Sequence, residues 1–482
     1  MSAVALQALL PVIVLAGAAV VVMLGIALAR HHGLTASLAA LGLAATLAVV
    51  PAAAQVAPQD ITGLMVLDGY AIFYTALMVT AALAVTALSY GYFRDWPGRR
   101  EEYYLLLLLA TLGAVVLGAS RHFAAFFLGL ELISVSLFAL IAYPGLLARP
   151  LEAGVKYLVL SGVSSAFLVF GMALVYARLG ALDFAALHAG TAAPQSLVLL
   201  VGLVLIVVGV GFKLSIVPFH MWTPDVFQGA PAPVTGFLAT VSKGAVIAVV
   251  LRYFQVGDGY ALGSVVLAIA LIAIASILAG NLLALMQRDV KRILAYSSIA
   301  HFGYLLVAFL AGGAFAVESV NFYLAAYFAT TLAAFGVVTV VATEARHDGS
   351  GDLDEGNLAI YRGLLWRRPA LAGLLLVALI SLAGLPVSIG FVGKFYVLAA
   401  GVEARSWALV AALVVGSAIG LFYYLRIAAV LAAADGPEAP RPPPNWRHAP
   451  GYLVLLLLGT FIIGFGAYPS LIVEISRSTL AR

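Results

Sequence analysis

Long apolar segments separated by short polar connections run along the whole chain. Each is close to the roughly 20 residues that a helix needs to cross the hydrocarbon core of a bilayer, and strand-type alternation is absent. Fourteen spans are predicted, numbered in chain order: 3–29, 34–54, 69–91, 103–119, 123–143, 151–177, 196–217, 232–252, 260–286, 293–312, 316–343, 369–400, 406–433 and 450–473. The pattern predicts an all-α polytopic membrane protein in which residues 1–482 form a single domain.

Composition excludes a water-soluble fold. Hydrophobic residues make up 64% of the chain and charged residues 10%, against about 45–50% and about 25% in soluble domains. The formal net charge of +4 comes mainly from loop residues, so no nucleic-acid-binding surface is predicted. The first apolar run is predicted to be a retained span, because no Lys or Arg precedes it as in a signal peptide.

No residue pattern predicts a bound cofactor or metal ion. The chain contains no cysteine, which excludes thiolate-held iron–sulfur clusters and covalently attached haem. Gly393 and Lys394 are followed by Phe395 instead of Ser or Thr, so they do not form a phosphate-binding loop. No His/Glu spacing is typical of a metal site. We therefore expect no cofactor and no metal in this chain.

Basic residues lie mainly on one side of the predicted spans. With the N-terminus placed outside, the inner side holds fifteen of them and the outer side holds six. Cytoplasmic loops collect Lys and Arg, so this distribution predicts an orientation with both termini outside.

Four lysines lie within predicted spans, whereas every arginine lies in a loop or at a span end. The four are Lys156, Lys213, Lys243 and Lys394. A desolvated lysine can release its proton, but an arginine in a protein cannot. Each charge at the bilayer centre costs about 2.5–3.5 kcal/mol, and Glu131 is the one acid deep in a span. One carboxylate cannot neutralise four ammonium groups, so the sequence predicts a coupled proton relay.

Other interpretations of these residues stay open. Lys156 lies near a span end and can extend to the membrane surface. The other lysines and Glu131 can be structural charges that pair with one another. His220 and His301 are weaker candidates for the same relay, because a lone histidine near a helix end is as often a hydrogen-bonded scaffold residue. Tyr296, near a span start with Ser297 and Ser298, is most simply an interface or hydrogen-bonding residue.

Helix-breaking residues adjoin two of the lysines. Pro218 follows Lys213 in span 7, and Pro386 with three glycines precedes Lys394 in span 12. Unwound backbone at membrane depth occurs where it is buried in protein or lines a hydrated cavity. The breaks are five spans apart, which predicts two inverted five-helix repeats over residues 103–252 and 260–433. The alternative is that these prolines only kink their helices.

Lys213 has two predicted partners. On an unbroken helix, Lys213 and His220 would share a face, because they are seven residues apart. Glu131 is the natural counter-charge for Lys213. At 4 Å and an effective dielectric near 20, such a pair contributes about 4 kcal/mol.

Several motifs resemble a known family. Residues 220–235 read HMWTPDVFQGAPAPVT, residues 239–244 read ATVSKG, and residues 296–303 read YSSIAHFG. With GLE at 129–131 and PVSIGFVGK at 386–394, they resemble the subunit N family of bacterial proton-pumping NADH:quinone oxidoreductase, which is related to Mrp-type antiporters. The resemblance covers nearly the whole chain. It implies a fourteen-helix antiporter-like fold with two inverted five-helix repeats and broken helices 7 and 12.

The resemblance also implies residue roles. Glu131 and Lys213 match the family's essential pair, Lys243 its central lysine and Lys394 its terminal lysine. Supporting members of the polar axis are matched by Lys156, His220 and Tyr296. Subunit M carries a glutamate at the position of Lys394 and subunit L a long lateral helix, so the lysine and the short tail favour subunit N.

The implied function is proton translocation driven by electron transfer from NADH to quinone in partner subunits, with no redox chemistry in this chain. The implied partners are subunits M, K, J and A and the lateral helix of subunit L. The NADH, FMN, iron–sulfur and quinone sites are expected in partner subunits, and the implied location is the bacterial inner membrane with periplasmic termini. The alternatives are a subunit of a Na⁺(cation)/H⁺ antiporter and a structural spacer that transports nothing.

Overall fold

The computed structural model describes residues 2–478 except 97, 144, 146, 187–195, 257–262, 348–355 and 435–448. Most of the proline-rich stretch 435–450 lies outside the described residues. Three of the basic residues from which the orientation is predicted also lie outside the described residues, namely Arg441, Arg447 and Arg482.

Helices dominate the described residues, as the apolar segments predict. They are α1 (Ala3–Ala8), α2 (Leu10–Leu28), α3 (His32–Ala54), α4 (Gly69–Phe93), α5 (Glu102–Ala119), α6 (Phe123–Ile141), α7 (Ala148–Leu179), α8 (Leu197–Leu214), α9 (Trp222–Gly229), α10 (Ala232–Phe237), α11 (Lys243–Val256), α12 (Gly263–Leu285), α13 (Val290–Ala311), α14 (Gly313–His347), α15 (Leu358–Tyr361), α16 (Leu364–Arg367), α17 (Pro369–Ala383), α18 (Ile389–Glu403), α19 (Trp407–Ala432), α20 (Ala449–Ala467) and α21 (Ser470–Ser478). A π-helical turn, Leu238–Ser242, joins α10 to α11.

Thirteen helices within the described residues are long and apolar enough to cross a membrane. The helices α17 and α18 together make one further crossing, which is interrupted at residues 384–388. These fourteen crossings agree with the predicted spans, and the predicted all-α membrane fold is confirmed. Since the number of crossings is even, both ends of the described chain lie on the same side of the bundle, which we call the terminal side.

The structure departs from the predicted spans in local details. The loop between α3 and α4 contains an antiparallel hairpin of β1 (Gln59–Ile61) and β2 (Met65–Leu67), which the apolar pattern does not predict. The last predicted span ends early, because α20 stops at Ala467 before Pro469 and a separate short helix, α21, follows. A π-helical turn immediately before Lys243 is also unpredicted.

Three crossings form the centre of the bundle. In the most apolar 18-residue stretches of α13 and of the α10–α11 segment, 94% of the residues are buried. In that of α14, all are buried. In contrast, the most apolar stretches of α2, α12 and α20 are buried by one third or less, so these helices lie at the outside of the bundle. The three central crossings carry Lys243 and two hydroxyl residues beside it, Ser298 and Tyr327.

Two groups of five crossings, α5–α11 and α12–α19, follow a similar order. The interrupted crossing is the fourth in each group, and the crossing before it is unusually long, with 32 residues in α7 and 35 in α14. The first two helices of each group cross at glycines. A Cβ atom on Gly113 would lie 2.8 Å from the backbone oxygen of Gly129, and one on Gly280 would lie 2.7 Å from the backbone nitrogen of Ala300. Such close helix contacts require small residues.

Candidate functional site

The first interrupted crossing places Lys213 against two neighbouring helices. The helix α8 ends one residue after Lys213, because Ser215 adopts a left-handed conformation with φ of +61°. The Lys213 side chain is buried, and its Nζ donates to Ser134 Oγ on α6 at 2.7 Å and to Ser161 Oγ on α7 at 2.6 Å. The amine is therefore held by hydroxyl groups that can both accept and donate hydrogen bonds.

Glu131 lies beside this site, but it does not bind Lys213 directly. It is half-buried one turn before Ser134 on α6, and it accepts a hydrogen bond from Ser165 Oγ on α7. Within the described residues, no ion pair within 4 Å joins Glu131 to Lys213, so the predicted contact pair is not formed. Serines of α6 and α7 lie between the two charges, and the carboxylate acts on the amine only as a nearby charge.

Lys243 occupies the centre of the bundle. It follows the π-helical turn and is fully buried. Its Nζ donates to Ser298 Oγ at 2.8 Å, and the same hydroxyl accepts from the Tyr327 hydroxyl at 2.8 Å. The Nζ also lies 5.3 Å from the ring centroid of Phe227 and 5.1 Å from that of Phe302, distances at which aromatic faces attract a cation.

A second group of hydroxyls continues from this point toward α18. Ser297, next to Ser298 on α13, is hydrogen-bonded to the Tyr424 hydroxyl. His301 lies one turn further along α13, with Nε2 3.1 Å from the Tyr424 hydroxyl and Nδ1 2.7 Å from the Tyr323 hydroxyl. His301 is thus part of a continuous hydrogen-bonded chain, Ser297–Tyr424–His301–Tyr323.

The second interrupted crossing places Lys394. The helix α17 ends where Gly384 adopts a left-handed conformation with φ of +78°, and α18 begins after Ser388. Lys394 Nζ donates to the Ala383 carbonyl oxygen and to Ser417 Oγ, each at 2.9 Å. A Cβ atom on Gly384 would lie 2.6 Å from Lys394 Cδ, so this position requires glycine for both its conformation and the lysine's approach.

Polar atoms without partners lie around the first interruption. Ser215 Oγ, Thr223 Oγ1 and both ring nitrogens of His220 are buried, and within the described part of the chain they have no hydrogen-bond partner. His220 does not share a helix with Lys213, because α8 ends at Leu214. In the part of the chain that is described, no direct hydrogen bond links Lys213 to Lys243. Buried polar groups of this kind are the ones that ordered water satisfies in proteins.

Two predicted site residues lie apart from these hydrogen-bonded groups. The Lys156 side chain is 42% exposed and pairs with Glu152 at 2.7 Å and Asp225 at 3.1 Å. This position matches the alternative in which Lys156 extends toward the surface. Tyr296 is buried on α13, but its hydroxyl makes no hydrogen bond to another described residue.

The hydroxyl partners were not predicted, although the sequence contains a signal for them. Ser134 is three residues after Glu131, and Ser161 and Ser165 are four residues apart, so each pair shares a helix face. A search for hydroxyl residues at helical spacing within the apolar spans would have selected them. Among the described residues, no group of His, Asp and Glu is arranged to hold a metal ion.

A bundle of fourteen crossings with two interrupted helices, each carrying a buried lysine, matches a known class of membrane protein. The family described as NADH:quinone oxidoreductase/Mrp antiporter, transmembrane, matches residues 120–420, which include both interruptions and Lys213, Lys243 and Lys394. The protein is therefore an antiporter-like membrane protein.

Sequence similarity identifies the particular family. NADH-quinone oxidoreductase subunit N of Ectopseudomonas mendocina (strain ymp) is 48% identical over 477 residues, which cover 98% of this chain and 95% of the relative. The chain belongs to the NADH-quinone oxidoreductase subunit N family, as the motifs predict.

Solved structures share the fold. A chain of respiratory complex I from Thermus thermophilus with bound aureothin has 32% sequence identity and a TM-score of 0.80, with 96% of this chain and 98% of that chain covered. Chains of an archaeal membrane-bound sulfane sulfur reductase and of the Mrp complex from Dietzia sp. DQ12-45-1b both give TM-scores of 0.84. Both comparisons cover 99% of this chain and 97% of the other chain, at 23% and 19% identity, and show the fold alone.

Proposed function

We propose that this chain is the proton-translocating membrane subunit N of an NADH:quinone oxidoreductase, and that protons cross it along Lys213, Lys243 and Lys394. The observation that carries the proposal is the environment of these amines. Each is buried and hydrogen-bonded to a serine hydroxyl, and none has an ion-pair partner within the described ranges. A buried ammonium without a carboxylate partner is costly, so release of its proton relieves that cost.

In the first group of crossings, the proton-binding groups are Glu131 and Lys213. Their hydroxyl contacts lie on the same two helices, with Ser134 and Ser161 at the amine and Ser165 at the carboxylate. Rotation of these hydroxyls would exchange a proton between the lysine and the carboxylate without a direct ion pair. We expect protons to enter here from the cytoplasmic side.

From Lys213 to Lys243, transfer would pass through water held by the unpartnered groups of Ser215, His220 and Thr223. Beyond Lys243, the hydroxyls of Ser298 and Tyr327 and the Ser297–Tyr424–His301–Tyr323 chain lead toward Lys394. Lys394 Nζ lies 5.1 Å from the ring centroid of Tyr304, a neighbour of His301 on α13. Lys156 and Tyr296 would support the path without lying on it.

The remaining assignments follow from the family. The two groups of crossings would be inverted repeats, residues 103–252 and 260–433, so that each interruption opens to a different side. The partners would be subunits M, K, J and A and the lateral helix of subunit L. NADH, FMN, iron–sulfur clusters and quinone would bind in partner subunits. The excess of basic residues on the side opposite the terminal side supports periplasmic termini in a bacterial inner membrane.

Substitution of Lys243 tests the proposal. In the assembled complex reconstituted in vesicles, Lys243→Ala should lower the proton translocation rate at least tenfold. The matched control is Lys291→Met, because Lys291 is also buried but donates to the backbone oxygen of Ala230 at 2.6 Å. That variant should translocate protons at close to the wild-type rate.

Two results would contradict the proposal. Wild-type translocation by an assembled Lys243→Ala complex would favour a structural spacer. A transport rate that disappears when choline replaces Na⁺ would favour cation/proton antiport.

A further inference from the structure

An apolar crevice lies between α8 and α12, in the half of the bundle near the terminal side. The helix α8 packs against α7, whereas α12 packs against α13 and α19, so the two helices leave a gap between them. Aliphatic side chains of both helices form the walls, among them Leu203, Val207 and Val210 of α8 and Val265, Ile269 and Ile272 of α12. The crevice is open at its mouth, and the space between its walls is about 950 Å³ when that opening is included.

The floor of the crevice is also apolar. It is formed by Phe126 of α6, Val249 and Val250 of α11, and Phe309 of α13. Tyr253 supplies the one side-chain hydroxyl in the described lining. An apolar cavity offers water too few hydrogen-bond partners, and such cavities stay dry. The lining therefore selects a hydrocarbon ligand over water or a polar headgroup.

The crevice lies beside exposed apolar surface of the bundle. Val204 on α8 follows Leu203, which lines the crevice, and Leu271 on α12 precedes Ile272, which also lines it; the two side chains are 53% and 59% exposed. A lipid in contact with these residues needs only to turn one flexible chain inward to enter the gap. A transmembrane helix, with an overall diameter of about 10–12 Å, would instead need a groove along its whole length.

We propose that the crevice is a binding site for one acyl chain of a membrane phospholipid, from the leaflet on the terminal side. Leu214 and Ile216 also line it, and they lie on either side of Ser215, which ends α8. A bound chain would therefore pack against the first interrupted crossing, close to the residue that ends α8.

Photochemical labelling with a lipid tests this proposal. The assembled complex is reconstituted with phosphatidylethanolamine that carries a diazirine in the middle of one acyl chain, and labelled residues are mapped by mass spectrometry. We expect Val207 and Ile269 in the crevice to be labelled at least as strongly as the exposed Val204 and Leu271.

A bulky side chain that fills the crevice should remove labelling of the residues inside it and leave labelling of the exposed residues unchanged. Val207→Trp should lower labelling of Ile269 at least fivefold, whereas Val204→Trp, one helix turn away on the exposed surface, should leave it unchanged. Val265→Trp and its control Leu267→Trp repeat the comparison from the opposite wall if Val207→Trp fails to assemble. Labelling confined to the exposed residues would overturn the proposal, whether the crevice is empty or covered by another subunit. Unchanged labelling of Ile269 in assembled Val207→Trp or Val265→Trp complexes would overturn it as well.

Discussion

The two interrupted crossings have similar backbones but different electrostatic environments. In each, a residue with left-handed conformation ends the first half-helix, and a proline follows within three residues. Lys213 is held by two serine hydroxyls from neighbouring helices, near the carboxylate of Glu131. Lys394 is held by one hydroxyl and by the Ala383 carbonyl of its own crossing, and no described carboxylate pairs with it.

This difference shows how the same interruption of a helix can serve two stages of proton transfer. An opened helix end supplies space and free carbonyls, whereas the neighbouring helices decide how well a charge is tolerated. At Lys213, a nearby carboxylate supports the ammonium form. At Lys394, only dipoles do so, and dipoles compensate a buried charge less well than an opposite charge. A proton should therefore be held more firmly at the first interruption than at the second.

Removal of the carboxylate should abolish this difference and have the largest effect among the changes that leave all three lysines in place. We expect Glu131→Gln to lower proton translocation about tenfold, which corresponds to about 1.4 kcal/mol of lost electrostatic support. That is a modest share of the roughly 4 kcal/mol available to a contact pair. Glu152→Gln is the control, because Glu152 is an exposed carboxylate whose partner is Lys156. A Glu131→Gln complex with undiminished translocation would remove the carboxylate from the mechanism.

Removal of hydroxyl groups should have smaller, graded effects. Lys213 has two serine partners, so Ser134→Ala or Ser161→Ala alone should lower proton translocation about twofold, and the double variant about fivefold, since a hydrogen bond contributes about 1 kcal/mol. Ser417→Ala leaves Lys394 its carbonyl partner, so we expect about a twofold decrease there. Equal effects of the double variant and either single variant would show that these hydroxyls do not act as parallel contacts.

A paired buried charge away from both interruptions should affect stability and leave transport intact. Asp68, before α4, receives two hydrogen bonds from Arg252 at 2.7 and 2.9 Å. Burial alone would raise the pKa of Asp68, but the hydrogen bonds and charge of Arg252 outweigh it and lower the pKa. A lowered pKa stabilises the fold above the ordinary carboxyl value of about 3.9, and this contribution is lost as the pH falls through the lowered value.

Thermal unfolding measures that contribution. Asp68→Asn should lower the midpoint temperature at pH 7 and reduce its dependence on pH below about 4, because it leaves Arg252 without its charged partner. Protons translocated per NADH oxidised should stay unchanged in the assembled variant. A change in that ratio would show that the pair takes part in transfer.

The sequence was sufficient for the positions of the interruptions but not for the contacts around them. Proline and glycine beside a buried lysine have local consequences for the backbone, so the breaks near Lys213 and Lys394 could be predicted. Which serine reaches which amine depends on how far each helix is rotated about its axis. Tertiary packing sets that rotation. For this reason the sequence predicts a direct Glu131–Lys213 contact, whereas in the structure each of the two side chains contacts serines instead.

Side-chain length explains another limit of the sequence. Lys156 was grouped with the buried lysines because apolar residues surround it in the chain, but its long side chain reaches Glu152 and Asp225 near the surface. The sequence left that alternative open and could not decide it. The hairpin of β1 and β2 was missed because two strands of three residues each are too short to show an alternating pattern.

The most direct test of the account compares Lys213→Arg with Lys213→Ala in the assembled, reconstituted complex. Arginine keeps the positive charge but cannot release its proton, so both variants should lose proton translocation at least tenfold relative to wild type. Translocation at the wild-type rate in Lys213→Arg would contradict the account, because a fixed charge would then serve as well as a group that binds and releases protons.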